Sequence, residues 1–340
     1  MGRSASAGMI TSILVLTMAI AGCGASASTS DKDEAAKLTT VRYLTAFSTF
    51  GREAYVYVAK ELGYFKDRGL NVEINPGTGT VDVLRHIAGG TADIGIGDSA
   101  TGAVTVANQK LPLKAVAAIQ QKSMAALVAL KSSGISKPSD LAGRTYADVP
   151  GSTMRILLPF YAKAAGFDSK TVKFVPSSPP DLPRLLASGK ADVIGQFVAG
   201  RPLIEAAAKQ PAVFFPYADH LPDLYGNFVY VRGEMIENEP KVIQRFLTAL
   251  LRGLRYAIEH PEEAGRILAR HVPEQDPQIA AREVETMAPY VRPAGFTGPV
   301  GGMETGRVDA MLAVLKRSGA LKAEVPADQI VAGGLLPAVG

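Results

Sequence analysis

The sequence predicts an α/β protein of two lobes, each a mostly parallel sheet flanked by helices, with a ligand cleft between them. Three observations carry this. From residue 38 onward short apolar runs alternate with amphipathic segments. A strand–helix–strand–helix–strand order occurs twice, about 100 residues apart. The chain has 340 residues, 47% hydrophobic and 20% charged, a globular composition long enough for about two domains.

The first unit opens with a strand over 41–47. A helix over 52–62 follows, with Tyr55, Val58, Ala59 and Leu62 on one face, and Gly63 closes it in a left-handed conformation. The next strand is 71–74, then a helix over 81–88 stopped by Gly89 and Gly90, then a strand over 93–96. Strands and helices at this spacing call for parallel pairing with right-handed crossovers.

The same order recurs downstream. Residues 81–93 and 180–192 share six identities at a constant offset of 99. Upstream, Ala59, Lys60 and Gly63 match Ala162, Lys163 and Gly166 at an offset of 103. Generic turn chemistry can produce part of this, and two lobes of like topology produce all of it. The remainder has no third copy: a strand over 227–232, a long helix from Pro240 to about residue 260, and helices near 262–270, 277–287 and 304–317. This tail is expected to pack on one of the two lobes.

The N-terminus reads as an export signal. Arg3 precedes an apolar run over 9–21, too short for a span and suited to a signal core. The run ends Ile20-Ala21-Gly22-Cys23, which resembles a bacterial lipobox, with cleavage before Cys23 and acylation of that cysteine; a plain secretory signal with a stray Cys is the alternative. Residues 24–37 have the composition of a flexible tether. Cys23 is the chain's single cysteine, so no intramolecular disulfide and no cysteine cluster can form. The net charge of +4 falls to +3 without residues 1–22, too mild to point to nucleic acid.

No catalytic constellation is legible. The four histidines, His86, His220, His260 and His271, show no metal-ligand spacing, and neither GxGxxG, Walker nor GxSxG patterns occur. Polar, Gly-rich turns instead recur at the carboxyl ends of the expected strands: 47–51, 76–80, 97–99, 120–123, 151–153, 177–178 and Gln196. Open α/β sheets bind ligands at that edge. Each turn alone is ordinary punctuation and helix capping; seven together favour a cleft. Their hydroxyls, amides, aromatic rings and the Asp98 carboxylate suit a small, flat or neutral polar molecule. An anion would call for bidentate arginine; Arg52, Arg155 and Arg201 lie near the turns, and each also reads as a solvated helix residue.

These segments resemble a known family. Residues 44–47 and 55–74, with the Tyr57-Val-Ala-Lys-Glu-Leu-Gly-Tyr-Phe65 run, Asp93-Ile-Gly-Ile-Gly-Asp-Ser99, Ala118-Ile-Gln-Gln-Lys122, 133–144 and 226–232, are similar to the periplasmic solute-binding proteins of the nitrate/sulfonate/taurine and thiamine-pyrimidine (SsuA/THI5-like) group that serve ABC importers. The resemblance implies the two-lobed periplasmic-binding-protein fold of type II, hinge closure on a small solute, delivery to a permease and ATPase complex, no cofactor and no enzymatic activity. The stretches 57–65 and 118–122 are nearest the branch that carries pyrimidine precursors of thiamine. A sulfonate, nitrate, taurine or riboflavin-like solute is the alternative. A related pyrimidine synthase uses its own His and a Cys-rich motif, yet 97–103 holds no His or Lys and 225–228 no Cys.

The expected organisation is a signal over 1–22, a tether over 23–37, lobe one over 38–131, lobe two over 132–226, and a return to lobe one over 227–340. Hinge crossings fall near Lys131 and near 225–227. The expected solute contacts are Ser48, Phe50, Asp98, Ser99, Gln121, Ser152, Thr153, Ser178 and Asn227. The mature protein is expected as a monomer, exported and held by lipid on the outer face of the cell membrane or in the periplasm.

Overall fold

A computed structural model describes residues 38–178 and 181–337, so the expected signal, the Cys23 anchor and the tether lie outside the described residues. Twelve strands are present among the described residues: β1 Thr39–Leu44, β2 Phe47–Ser48, β3 Leu70–Asn75, β4 Gly77–Thr78, β5 Ile94–Asp98, β6 Leu113–Ala118, β7 Ala125–Leu130, β8 Thr145–Asp148, β9 Lys173–Pro176, β10 Val193–Phe197, β11 Ala212–Pro216 and β12 Asn227–Arg232.

They form two five-stranded sheets of one plan. The first runs β3-β1-β5-β12-β6 and the second β9-β8-β10-β7-β11. In each, the first three strands are parallel and the fourth is antiparallel to both neighbours. The fourth strand is the one the chain exchanges: β7 enters the second sheet directly after β6 of the first, and β12 enters the first after β11 of the second. Of the chain outside 1–37, Leu38–Gly340 clusters as one compact unit holding both sheets.

This corrects the expected boundary at Lys131. β7 pairs with β10 and β11, so the first crossing lies between Ala118 and Ala125. All six β7 residues are buried; a strand covered on both faces has no polar alternation to reveal its sheet. The two crossings run side by side. Ile119 N–H donates to Asn227 O at 2.8 Å, Gly226 N–H to Gln120 O at 3.0 Å and Ser123 N–H to Leu224 O at 2.9 Å. A Cβ on Gly226 would lie 2.6 Å from Gln120 Oε1, so only glycine lets the crossings approach this closely.

The repeat has a structural meaning. Asp93, before β5, accepts the Arg42 backbone N–H of β1 at 2.9 Å, and Asp192, before β10, accepts the Thr145 N–H of β8 at 2.8 Å. Each aspartate thus pins the start of the third strand to the second strand of its own sheet. Arg42 adds bonds from Nε and Nη2 at 3.0 and 2.6 Å.

The tail packs on the first sheet. The helix Pro240–Glu259 buries Ile243, Phe246, Leu247, Leu250, Leu251, Leu254 and Ala257, one stripe at helical spacing. Phe246 stacks on Phe65 at 5.3 Å and meets Tyr43 at 5.6 Å. This helix is amphipathic rather than uniformly apolar, and no helix among the described residues is long and apolar enough to cross a membrane.

Candidate functional site

The carboxyl ends of the two sheets meet at Asp98 and Thr153. Asp98 ends β5 and caps the helix Ser99–Gln109, its Oδ1 accepting the Thr101 N–H at 2.9 Å. The same oxygen accepts the Thr153 hydroxyl at 2.5 Å from the helix Thr153–Ala164, which follows β8 of the second sheet. The Thr101 and Thr153 hydroxyls also bond each other. Asp98 and Thr153 are each 4% exposed. Burial pushes the Asp98 carboxyl up from its ordinary value, and the Thr153 and Thr101 hydrogen bonds pull it back.

Three further expected residues adjoin this contact. Asn227 opposes Asp98 in the antiparallel register, is buried, and donates its N–H to Gln120 Oε1 at 2.7 Å. Ser99, fully buried, donates Oγ to Tyr225 O at 2.9 Å, which ties the helix start to the second crossing. Ser152 caps the Thr153–Ala164 helix by accepting the Arg155 N–H at 3.0 Å, and donates to Asp148 Oδ2 at 2.5 Å. Asp148 also accepts from the Tyr146 hydroxyl, and a Cβ on Gly195 would stand 2.3 Å from its carboxylate. Burial pushes Asp148 up; its bonds from Ser152 and Tyr146 oppose that.

The remaining expected residues are placed otherwise. Ser48 is exposed, at φ 50°, with its carbonyl accepting from Thr45 Oγ1 at 2.5 Å. Ser178 is exposed and donates to Asp181 at 2.6 Å within its own turn. Gln121 is buried but committed to the tail, donating Nε2 to Gly302 O at 2.9 Å and its N–H to Tyr290 O at 2.7 Å. None of these three shares a hydrogen bond with Asp98 or Thr153.

Phe50 leads to a group that sequence reasoning missed. Its ring centroid lies 4.7 Å from the Arg52 guanidinium carbon, and the Phe197 ring at the end of β10 lies 5.4 Å from the same carbon. Arg52 therefore lies within cation–π reach of a ring from each lobe, and at 5% exposure it is no solvated helix residue. Its Nε pairs with Glu53 at 3.1 Å and its Nη2 donates to Phe47 O at 3.2 Å. Glu283, from the helix Pro277–Val291, accepts the Gly51 N–H at 2.6 Å. Burial pushes Glu53 up to about 7, against the Arg52 charge, and pushes Glu283 up likewise.

No group of three or more His, Cys, Asp and Glu able to hold a metal exists among the described residues. A cavity of about 230 Å³ lined by Thr39, Arg42, Asp93 and Arg232 lies at the amino ends of the strands, and one of about 670 Å³ lies against Arg68, Lys241 and Arg245; both are remote from the Asp98 group.

A family model described as NMT1/THI5 like matches residues 52–264. The chain is 27% identical over 303 residues, 87% of its own length and 89% of the relative's, to a formylaminopyrimidine-binding protein of Halalkalibacterium halodurans. It is 23% identical over 230 residues, 64% of its length and 69% of the relative's, to a 4-amino-5-hydroxymethyl-2-methylpyrimidine phosphate synthase of Legionella pneumophila. Among solved structures, the alkanesulfonate-binding protein SsuA of Xanthomonas axonopodis pv. citri, bound to MOPS, superposes with a TM-score of 0.70 at 15% identity, covering 88% of this chain and 100% of that one. At that identity the likeness speaks for the fold, which is the two-lobed one of periplasmic binding proteins.

Proposed function

The chain belongs to the NMT1/THI5-like family, and from that premise we propose that it is the solute-binding protein of an ABC-type importer, taking a small heteroaromatic amine, with a thiamine pyrimidine precursor as the leading candidate. The observation that carries this reading is the Asp98 carboxylate. It is buried where the lobes meet, and its oxygen already accepts a hydroxyl from the second lobe. A buried acceptor at a cleft rewards a ligand that brings N–H donors and penalises an anion, whose charge would face the carboxylate without solvent between them. An aminopyrimidine offers such donors on a flat ring. The formylaminopyrimidine-binding relative points the same way.

Closure supplies the mechanism. A solute that touches both lobes binds the closed arrangement better than the open one, and only that difference shifts the equilibrium. Asp98 from the first lobe and Thr153 from the second are positioned to share a donor, with Asn227 and Ser152 beside them. A synthase activity is the weaker reading, because 97–103 offers no His or Lys.

The proposal includes export and lipid anchoring through Cys23, delivery to a permease and ATPase complex, and action as a monomer. Replacing Cys23 with Ser is expected to release the protein from membranes into the soluble exported fraction; retention on membranes would overturn the anchor. For the solute, thermal unfolding is measured with formylaminopyrimidine, ethanesulfonate, nitrate and riboflavin at millimolar concentration. A ligand present at 100 times its dissociation constant adds about 2.7 kcal/mol to stability. The midpoint is expected to rise with formylaminopyrimidine alone; a rise with sulfonate or nitrate instead would overturn the choice of solute class.

A further inference from the structure

The helix Pro240–Glu259 packs one stripe on the first sheet and turns another to solvent. Lys241, Arg245, Thr248, Arg252 and Arg255 recur at spacings of three and four, on the side opposite Phe246, Leu250 and Leu254. Lys241, Arg252 and Arg255 are exposed and Arg245 is half-buried. At 1.5 Å per residue these four cations span about 21 Å. The segment 64–68 widens the same face. Arg245 Nη1 donates to Arg68 O at 3.1 Å, and the Arg252 guanidinium carbon lies 3.8 Å from the centre of the Tyr64 ring. Lys66 and Arg68, both exposed, bring the cations to six. The cavity of about 670 Å³ lies at this face, lined by Arg68, Lys241 and Arg245 and by no carboxylate among the described residues. Asp67 and Glu259 border the face, yet among the described residues none of the six cations is in an ion pair. The next helix, Pro261–His271, is built differently: its Arg266 and Arg270 pair with Glu262, Glu263 and Glu61. Like charges four apart, as at Lys241 and Arg245, destabilise a helix, so the fold alone gives no reason for the stripe.

We propose that this face of lobe one rests on an anionic bilayer surface, with its arginines and lysines among the lipid phosphates. Charge complementarity names the occupant, and so does the place where the described chain starts. Thr39 N–H donates to Gly69 O at 2.9 Å, so the first strand begins beside Arg68. Fifteen residues separate Leu38 from Cys23, and a chain of that length spans at most about 50 Å. The inference rests on the anchor reading above: acylation of Cys23 confines this face near the head groups. There each Lys or Arg favours binding about fivefold, and the attraction decays within a Debye length. Confinement lets so weak an attraction act at high effective concentration. Without the lipid it is released at ordinary salt, in keeping with release of the Cys23→Ser protein.

The test is co-sedimentation of a chain starting at Leu38, the compact unit that holds both sheets, with vesicles of phosphatidylcholine, pure or mixed with about one third phosphatidylglycerol. Binding to the mixed vesicles is expected at about 0.02 M salt and its loss at about 0.5 M, with none to the pure ones. Lys241→Gln combined with Arg255→Gln, both exposed positions, is expected to lower partitioning at least about fivefold. The same charge removed from exposed sites of the second lobe, Lys163→Gln with Lys190→Gln, is expected to lower it less than about twofold. Circular dichroism checks that each chain is folded. Equal binding to pure phosphatidylcholine, or equal losses in the two double variants, overturns the proposal. Inorganic phosphate that displaces the protein more than chloride of the same ionic strength would make the cavity a discrete phosphate site and overturn it too. These vesicle results leave the Cys23 reading untouched, whereas Cys23→Ser protein that stays on membranes at about 0.5 M salt overturns the anchor alone.

Discussion

The Thr153 hydroxyl, at the start of a helix in the second lobe, donates to the Asp98 oxygen that caps a helix in the first, at 2.5 Å. One buried carboxylate oxygen therefore closes a helix end and joins the lobes. A hydrogen bond to a charged acceptor contributes about 1.5–3 kcal/mol. Thr153→Val, which keeps the shape and removes the donor, is expected to weaken the closed arrangement by about that amount. Small-angle scattering of the ligand-free protein should show a larger radius of gyration than the wild type. An unchanged radius together with an unchanged thermal midpoint would mean that the contact holds nothing.

Arg52 is paired with a buried carboxylate, Glu53. Arg52→Met is expected to cost about 3–5 kcal/mol at pH 8, because it leaves Glu53 buried without its cation. At pH 5 Glu53, raised to about 7, holds a proton and the loss should shrink. Denaturant titrations at the two pH values measure the difference; equal losses would contradict the charge argument.

Glu53 makes wild-type stability depend on pH in a stated direction. Its carboxyl is raised to about 7 by burial, above its value in the unfolded chain. The folded state therefore holds a proton that the unfolded state has released. That contribution is complete below about pH 4.5 and is lost as pH rises to about 7. Glu53→Gln should therefore gain roughly 2–3 kcal/mol relative to wild type on going from pH 5 to pH 8. A difference that does not vary with pH would show that the carboxyl titrates normally.

The two pinning aspartates differ in strength. Asp93 takes three bonds from Arg42 and a contact from Arg232 at 3.5 Å. Asp192 takes the Thr145 N–H and a looser contact with Arg144 at 3.8 Å, and its own side chain is more open to solvent, 35% against 17% for Asp93. Asp93→Asn is expected to cost about 1–3 kcal/mol and Asp192→Asn about 1 kcal/mol or less. Chemical denaturation of both variants provides the ranking, and a larger loss at Asp192 would reverse it.

Much of the fold was legible because its signals are local. The spacing of Tyr55, Val58 and Ala59 marks a helix, Gly63 stops it with φ of 75°, and the paired offsets around Asp93 and Asp192 marked two like sheets. The Asp98 turn and the Thr153 helix start were legible as capping chemistry, which is why both were expected at the site. What failed was pairing at a distance. The run Ala125–Leu130 is apolar on both faces and names neither sheet. Ser48 and Ser178 carry the same turn chemistry as Ser152, and nothing local distinguishes a hydroxyl that serves its own turn. Gly51 and Glu283 meet only after the tail folds back; the one available signal was Glu283 itself, a charge on the stripe that also carries Ala280, Val284 and Met287.

The central claim is closure on a neutral, donor-bearing heteroaromatic solute, and small-angle scattering with and without formylaminopyrimidine tests it most directly. The account predicts a smaller radius of gyration with this ligand in the wild type, and a weaker response at the same ligand concentration in Asp98→Asn, which keeps the shape of the acceptor and removes its charge. Contraction on ethanesulfonate or nitrate, with none on formylaminopyrimidine, would contradict it.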